Sequence, residues 1–206
     1  MTIGIIDIGI GNLGSLRHAV HSQGWDTVSV SRPDDMEGLT HLILPGVGAF
    51  VAVMTRLESV GLVGPIRRFA QAGRPVLGIC LGMQLLADTG TEGGGTGGLG
   101  LIPGRVTPIV PSPRTRLPHV GWNEPHQVGS HPVLKGIRDD VDFYFVHSYR
   151  FVPTHPGDVL AETEHGERFA SIVARGNVVG VQFHPEKSQT NGLRLLDNFC
   201  LWDGTC

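Results

Sequence analysis

The chain has 206 residues, of which 40% are hydrophobic and 17% charged, with a formal net charge of −3. That is enough apolar material for a buried core and excludes global disorder, and the mild acidity supplies no basic face for a nucleic acid. No apolar run approaches the roughly 18 residues of a membrane span, and MTIGIIDIGIGNL at the N-terminus has no basic segment ahead of its apolar residues, so a cytoplasmic protein with neither nucleic-acid nor membrane partner is expected.

In chain order, residues 3–8 form an apolar run that predicts a strand, followed by a helical pattern over 13–22 and a second strand over 27–30. A third strand, 41–44, closes at Pro45-Gly46; helices are predicted over 50–57 and 62–71, a fourth strand over 75–79, and a helix from 81 to about 87. Unbroken apolar strands alternating with helices indicate a parallel sheet covered on both faces, with the site beyond the carboxyl ends of its strands. Residues 91–98 (TEGGGTGG) read as a flexible loop without the Lys-Ser/Thr ending of a phosphate loop. Residues 103–118 read as strand and loop. Strands then follow over 142–146, 150–152, 159–163, 169–174 and 178–183, several separated by turn dipeptides, and a helix over 192–201. The expectation is one domain spanning 1–206: an α/β fold with a central, mostly parallel sheet flanked by helices and an added antiparallel strand region.

The three cysteines, Cys80, Cys200 and Cys206, offer no disulfide framework. Cys80 stands in Gly78-Ile79-Cys80-Leu81-Gly82, between a predicted strand and a predicted helix. This is the cysteine counterpart of a nucleophile elbow, whose glycines permit a tight turn. The helix N-terminus favours the thiolate, the attacking form, and the Leu81 N–H can hold a developing oxyanion. A buried core thiol is the ordinary alternative for a lone cysteine; the two glycines favour the nucleophile.

A thiolate needs a base and the base an orienting group. Gly180-Val181-Gln182-Phe183-His184-Pro185-Glu186 offers His184 at a strand end and Glu186 two residues on, leaving extended backbone on the same side. Alone, His-Pro-Glu could equally be a surface turn; with Cys80 it reads as a triad. His184 and Glu186 lack further ligands at metal-site spacing, so no metal and no cofactor are expected. Gly46-Val47-Gly48 closes the third strand, and Val47 or Gly48 could supply a second oxyanion N–H, although an ordinary strand-to-helix turn explains them equally well. Gln84, one helical turn past Cys80, can face the same pocket. Phe143 and Phe145 share a strand face and could equally be core residues.

Three blocks, PGVGAF at 45–50, GICLGMQLL at 78–86 and GVQFHPEKS at 180–188, together resemble the class I, triad-type glutamine amidotransferases, a resemblance that spans the chain and implies their flavodoxin-like fold. Within that class the sequence is similar to the glutaminase subunits of the imidazole glycerol phosphate synthases of histidine biosynthesis, through Asp7-x-Gly9-x-Gly11-Asn12-Leu13, His119-Val120-Gly121-Trp122-Asn123 and Phe143-Tyr144-Phe145-Val146-His147-Ser148-Tyr149. The resemblance implies that Cys80 forms a γ-glutamyl thioester, that His184 passes the proton to departing ammonia and that Glu186 orients it. It implies glutamine binding by Gly48, Gln84, His147, Ser148 and Tyr149. It also implies a heterodimer with a separate (β/α)8 cyclase subunit that receives the ammonia, with Asn12, His119, Val120, Gly121, Trp122 and Lys187 near that partner. Two other expectations remain open on the residues alone: a triad glutaminase serving another acceptor, of the pyridoxal phosphate or anthranilate type, and a free-standing cysteine hydrolase.

Overall fold

A computed structural model describes residues 1–11, 13–111 and 115–205. The first half alternates: β1 (Ile3–Ile6), α1 (Leu13–His21), β2 (Thr27–Val30), β3 (His41–Gly46), α2 (Phe50–Ser59), α3 (Val63–Gln71), β4 (Val76–Cys80) and α4 (Leu81–Leu85). The second half is strand-rich: β5 (Thr89–Gly90), β6 (Thr96–Gly97), β7 (Gly104–Pro108), β8 (His119–Asn123), β9 (His126–Gln127), β10 (Phe143–His147), β11 (Tyr149–Pro153), β12 (Val159–His165), β13 (Glu167–Arg175) and β14 (Val178–Val181), closed by α5 (Gln189–Leu201).

Eight strands form one sheet in the order β2-β1-β3-β4-β14-β13-β12-β9. Pairing is parallel from β2 through β14 and antiparallel beyond. The start of that order, 2-1-3-4, is that of flavodoxin-like doubly wound sheets. β8 and β10 make a separate two-stranded ribbon, and β11-β7-β5-β6 a four-stranded sheet.

β1, β4 and β14 are buried along their whole length, as helices on both faces require. Alternate side chains enter opposite cores. Leu42 and Leu44 of β3 pack in the cluster that holds Phe50, Val53 and Phe69 of α2 and α3. Ile43, with Ile3, Ile5, Leu77 and Ile79, joins Leu16 and Val20 of α1 and Leu195, Leu196 and Phe199 of α5. Phe143 and Phe145 lie in that second core, so packing accounts for both. Among the described residues no helix is long and apolar enough to cross a membrane.

Two expectations change and one strand is added. Residues 91–98 fold back, because Thr89-Gly90 pairs with Thr96-Gly97 across a turn of three left-handed glycines, Gly93, Gly94 and Gly95. The strand expected over 178–183 ends at Val181, since the His184 N–H turns away to bond the Tyr144 carbonyl. Residues 119–123 form β8, a strand that their mixed polar and glycine content conceals; it exists because it pairs with β10.

The glycines around α4 set the closest approach in the fold. A Cβ on Gly82 would lie 1.7 Å from the Leu44 carbonyl oxygen, and one on Gly78 would lie 2.6 Å from that of Gly82. Helix α4 therefore rests on the ends of β3 and β4. Gly82→Ala is expected to lower stability by roughly 1–3 kcal/mol through overpacking, read from urea unfolding; an unchanged midpoint would show that the backbone yields without cost.

Candidate active site

Cys80 ends β4 and is followed directly by the first residue of α4. Its backbone sits at φ 56° and ψ −111°. Among the described residues only Cys80 and Gln189 have positive φ without being glycine. Such a conformation costs about 1–3 kcal/mol and persists where surrounding packing enforces it, as the glycine-lined seat of α4 does. The Leu81 N–H, at the start of the helix, has no carbonyl a turn earlier to bond.

Parallel register assembles the rest. Gly46 of β3 pairs with Cys80, and Ile79 pairs with Val181 of β14. The loops leaving β3, β4 and β14 thus open at one edge of the sheet, bringing Val47, Gly48, Cys80, Leu81 and His184 into one cavity. Gly48 has φ +95°, which glycine tolerates.

His184 Nδ1 and Glu186 Oε1 are 2.9 Å apart, with both side chains buried. A carboxylate on Nδ1 keeps the proton there and turns Nε2 towards the cavity. Nε2 is buried and has no hydrogen-bond partner among the described residues. Burial opposes protonation of His184, but the approach of Cys80 and then the Glu186 carboxylate outweigh it and raise it to about 9. The His-Pro-Glu turn is tied down: Ser188 Oγ donates to the His184 carbonyl at 2.6 Å and accepts the Tyr144 N–H at 3.0 Å. Helix α5 closes over it, leaving no room for a Cβ on Gly192, which would lie 1.8 Å from the Pro185 carbonyl oxygen.

The cavity has a volume of about 350 Å³, in the low part of the ~300–1,000 Å³ range for small-molecule sites. Gln84, His147, Ser148 and Tyr149 also line it, so every glutamine-binding position expected from the sequence is brought to Cys80. Glu92 and Gln182 went unnoticed in the sequence. Glu92 lines the cavity and accepts the Phe50 N–H at 2.7 Å, capping α2 and anchoring the glycine-rich turn beside the loop that follows β3. Gln182 donates from Nε2 to Cys80 Sγ at 3.8 Å and accepts from Gln84 Nε2 at 3.0 Å. Its place two residues before His184 in an apolar strand was the available signal, a polar side chain where burial is expected.

His147 engages both ring nitrogens within the protein, with the Tyr149 carbonyl at 2.8 Å and His119 Nδ1 at 3.0 Å. Burial, then the charges that His147 and His165 would carry, pushes His119 down to about 3. His147 is also pushed down, to about 4, chiefly by burial. His119 points inward at 3% exposure, whereas its neighbours Val120 and Trp122 on β8 are 56% and 48% exposed. Trp122 pairs with Tyr144, over whose ring Lys187 Nζ sits at 5.5 Å. Gly121 lies between the two outward residues with φ +139°. Of the residues expected at a partner, Val120, Trp122 and Lys187 are thus exposed and His119 is internal; Asn12 falls outside the described residues. Cys200 is a core thiol, pushed up to about 12 by burial and then by Asp197. Among the described residues no three His, Cys, Asp or Glu side chains group so as to hold a metal ion.

The raised His184 has a consequence for stability. It adds stability that is complete below its ordinary value of 6.5 and is lost as pH rises through about 9. The Tm difference between wild type and Glu186→Gln should therefore be largest in mild acid and shrink across that interval. A difference that widened with pH would contradict the assigned pairing.

Residues 4–202 match the family glutamine amidotransferase class-I. The chain is 46% identical to the imidazole glycerol phosphate synthase subunit HisH of Desulfitobacterium hafniense, over 97% of this chain and 94% of that protein. It is 45% identical to the HisH subunit of Moorella thermoacetica, with 96% and 93% covered. A solved glutamine amidotransferase superposes with a TM-score of 0.75 at 22% identity, covering 98% of this chain and 99% of the other. PurLQS from Thermotoga maritima superposes with 0.75 at 18% identity, with 97% of each chain covered; both likenesses concern the fold. The chain belongs to the class I glutamine amidotransferases and, within them, to the family of imidazole glycerol phosphate synthase HisH subunits.

Proposed function

We propose that this chain is the glutaminase subunit of an imidazole glycerol phosphate synthase, acting in histidine biosynthesis: it hydrolyses glutamine to glutamate and ammonia and hands the ammonia to a separate (β/α)8 cyclase subunit. The observation that carries the reading is a cysteine held in a strained strand-to-helix turn, sharing one cavity with a histidine bonded to a buried glutamate. HisH relatives about 45% identical along nearly the whole chain support the pathway.

The Cys80 thiolate attacks the side-chain carbonyl carbon of glutamine, forming a C–S bond while the carbonyl electrons move onto oxygen. The Leu81 N–H and an N–H of Val47 or Gly48 receive that oxyanion. The His184 imidazolium gives its Nε2 proton to the amide nitrogen; the C–N bond breaks and ammonia leaves, with a γ-glutamyl thioester on Cys80. Neutral His184 then takes a proton from water, whose oxygen attacks the thioester and releases glutamate and the thiolate. Glu186 holds the ring throughout and stabilises its charged form. Ser148, Tyr149 and Gln84 line the substrate's place, and Glu92 supplies a negative charge for its α-ammonium group.

A smaller cavity of about 30 Å³ is lined by His184 together with Gly11, Gly46, Val47, Ile79, Glu186 and Lys187. It is about the size of one water, and therefore of ammonia. The exposed Val120, Trp122 and Lys187, with the partly exposed Tyr144, form an outward face on which a partner can dock. Such a face supports a two-subunit enzyme over a free-standing hydrolase.

Cys80→Ala in the assembled enzyme should abolish glutamine-dependent synthesis while synthesis from added ammonium salt continues; glutamine-dependent turnover in that variant would refute the reading. Glu92→Gln should raise the KM for glutamine about tenfold with kcat little changed, by loss of a charge-assisted contact. A fall in kcat at constant KM would instead assign Glu92 to holding the oxyanion loop.

A further inference from the structure

A continuous hydrogen-bonded path leads from β8 to the nucleophile, and none of its internal members is itself needed for proton transfer. Its polarity follows from one group. The Tyr149 carbonyl can only accept, so the nitrogen of His147 at 2.8 Å, Nδ1, carries the proton. His147 Nε2 must then accept, so His119 Nδ1, 3.0 Å away, donates. His119 Nε2 is left to accept from Asn123 Nδ2 at 3.3 Å, and that same amide nitrogen donates to the Glu164 carbonyl at 3.0 Å.

On the other side, the same Tyr149 carbonyl accepts from Gln84 Nε2 at 3.1 Å. The second hydrogen of that amide goes to Gln182 Oε1 at 3.0 Å, which forces Gln182 to present Nε2 to the Cys80 sulfur. Turning either glutamine over would set donor against donor or acceptor against acceptor in a buried site. His119 is clamped in its orientation, stacked between Phe145 at 4.8 Å and His165 at 4.0 Å, and His165 is itself bonded to the Arg116 carbonyl at 3.0 Å.

We propose that His119 and His147 are positioning residues for glutamine hydrolysis: as a neutral pair they fix the Tyr149 carbonyl and, through Gln84 and Gln182, the direction from which the Cys80 sulfur is solvated and the substrate amide is held. The proposal rests on the glutaminase reading and assigns His147 a place behind the substrate instead of a direct bond to it, because both its ring nitrogens are committed. Neutrality is a condition: an imidazolium at either position would set two N–H groups against each other. Burial supplies that condition by holding both rings far below their ordinary range. The path begins on β8, the strand whose opposite face carries Val120 and Trp122.

Two substitutions at one position separate this role from packing. Asn at 119 places an N–H close to the position of Nδ1, whereas Gln places its polar group near Nε2; both remove the ring stack equally. In the assembled enzyme, His119→Gln should lower kcat for glutamine about tenfold, the cost of one unmade buried hydrogen bond, while His119→Asn recovers most of the loss. Ammonia-dependent synthesis, which bypasses Cys80, should stay within about twofold of wild type in both. Equal kcat values for the Asn and Gln variants would overturn the proposal, as would an equal fall in ammonia-dependent synthesis. If His119→Gln does not fold, the same pair at His147 reads the bond to Tyr149 directly, because there too only Asn offers an N–H at the Nδ1 position. Persistence of glutamine turnover in Cys80→Ala would instead sink the underlying glutaminase reading, whatever the histidine variants do.

Discussion

The site depends on the seating of α4 against the carboxyl ends of β3 and β4. Gly82 lies against the Leu44 carbonyl and Gly78 against Gly82 with no room for a Cβ, so the chain must reverse within one residue. That residue is Cys80, held at a φ of 56°. The strain is local and modest, about 1–3 kcal/mol, and is borne by a core in which two large apolar clusters grip the sheet from both faces. What the strain secures is direction: Cys80 lines the cavity at the point where the helix leaves its first N–H groups unpaired.

Parallel pairing then decides what the sulfur meets. β3 and β14 flank β4 in parallel, so each delivers its C-terminal loop to the same edge, one with Val47 and Gly48, the other with His184 and Glu186. An antiparallel neighbour would have delivered the wrong end of its strand. The antiparallel strands serve a different purpose. β10 and β11 bring the wall of the cavity, His147 to Tyr149, and β10 also holds the His184 turn through the Tyr144 N–H and carbonyl.

Buried polarity is the second organising constraint. Gln84, Gln182, His119 and His147 are all nearly inaccessible, and each unmade hydrogen bond there would cost about 1–3 kcal/mol. Satisfying all of them around one carbonyl leaves a single arrangement of protons. The same logic separates the histidines by environment. His184, with a carboxylate on one nitrogen and Cys80 beyond the other, is raised to about 9. His147, buried and without a carboxylate beside it, is lowered to about 4 chiefly by burial, against the opposing effect of its bond to the Tyr149 carbonyl. One of the two is suited to carry a proton to a leaving group, the other to remain neutral and hold position.

Much of this was legible in the linear chain. The alternation of buried strands and helices, the glycine-framed Cys80 and the His184-Glu186 spacing are local patterns, set by periodicity, turn sterics and side-chain chemistry within a few residues. Through its likeness to class I amidotransferases, the sequence also pointed to Gln84, Ser148 and Tyr149. Other features were invisible for a physical reason. β8 exists because β10 pairs with it, and its Gly121 and Asn123 mask the strand preference of Val120 and Trp122. Glu92 looked like loop because its function comes from capping α2, forty-two residues away. Gln182 looked like an interruption in an apolar strand until Gln84 and Cys80 stood beside it. The sequence by itself determined the alternation of strands and helices, the glycine-framed turn at Cys80 and the His184-Glu186 spacing. Only the tertiary structure decided which nitrogen of each histidine bears a proton and which way each amide faces, because those choices are made by partners distant along the chain.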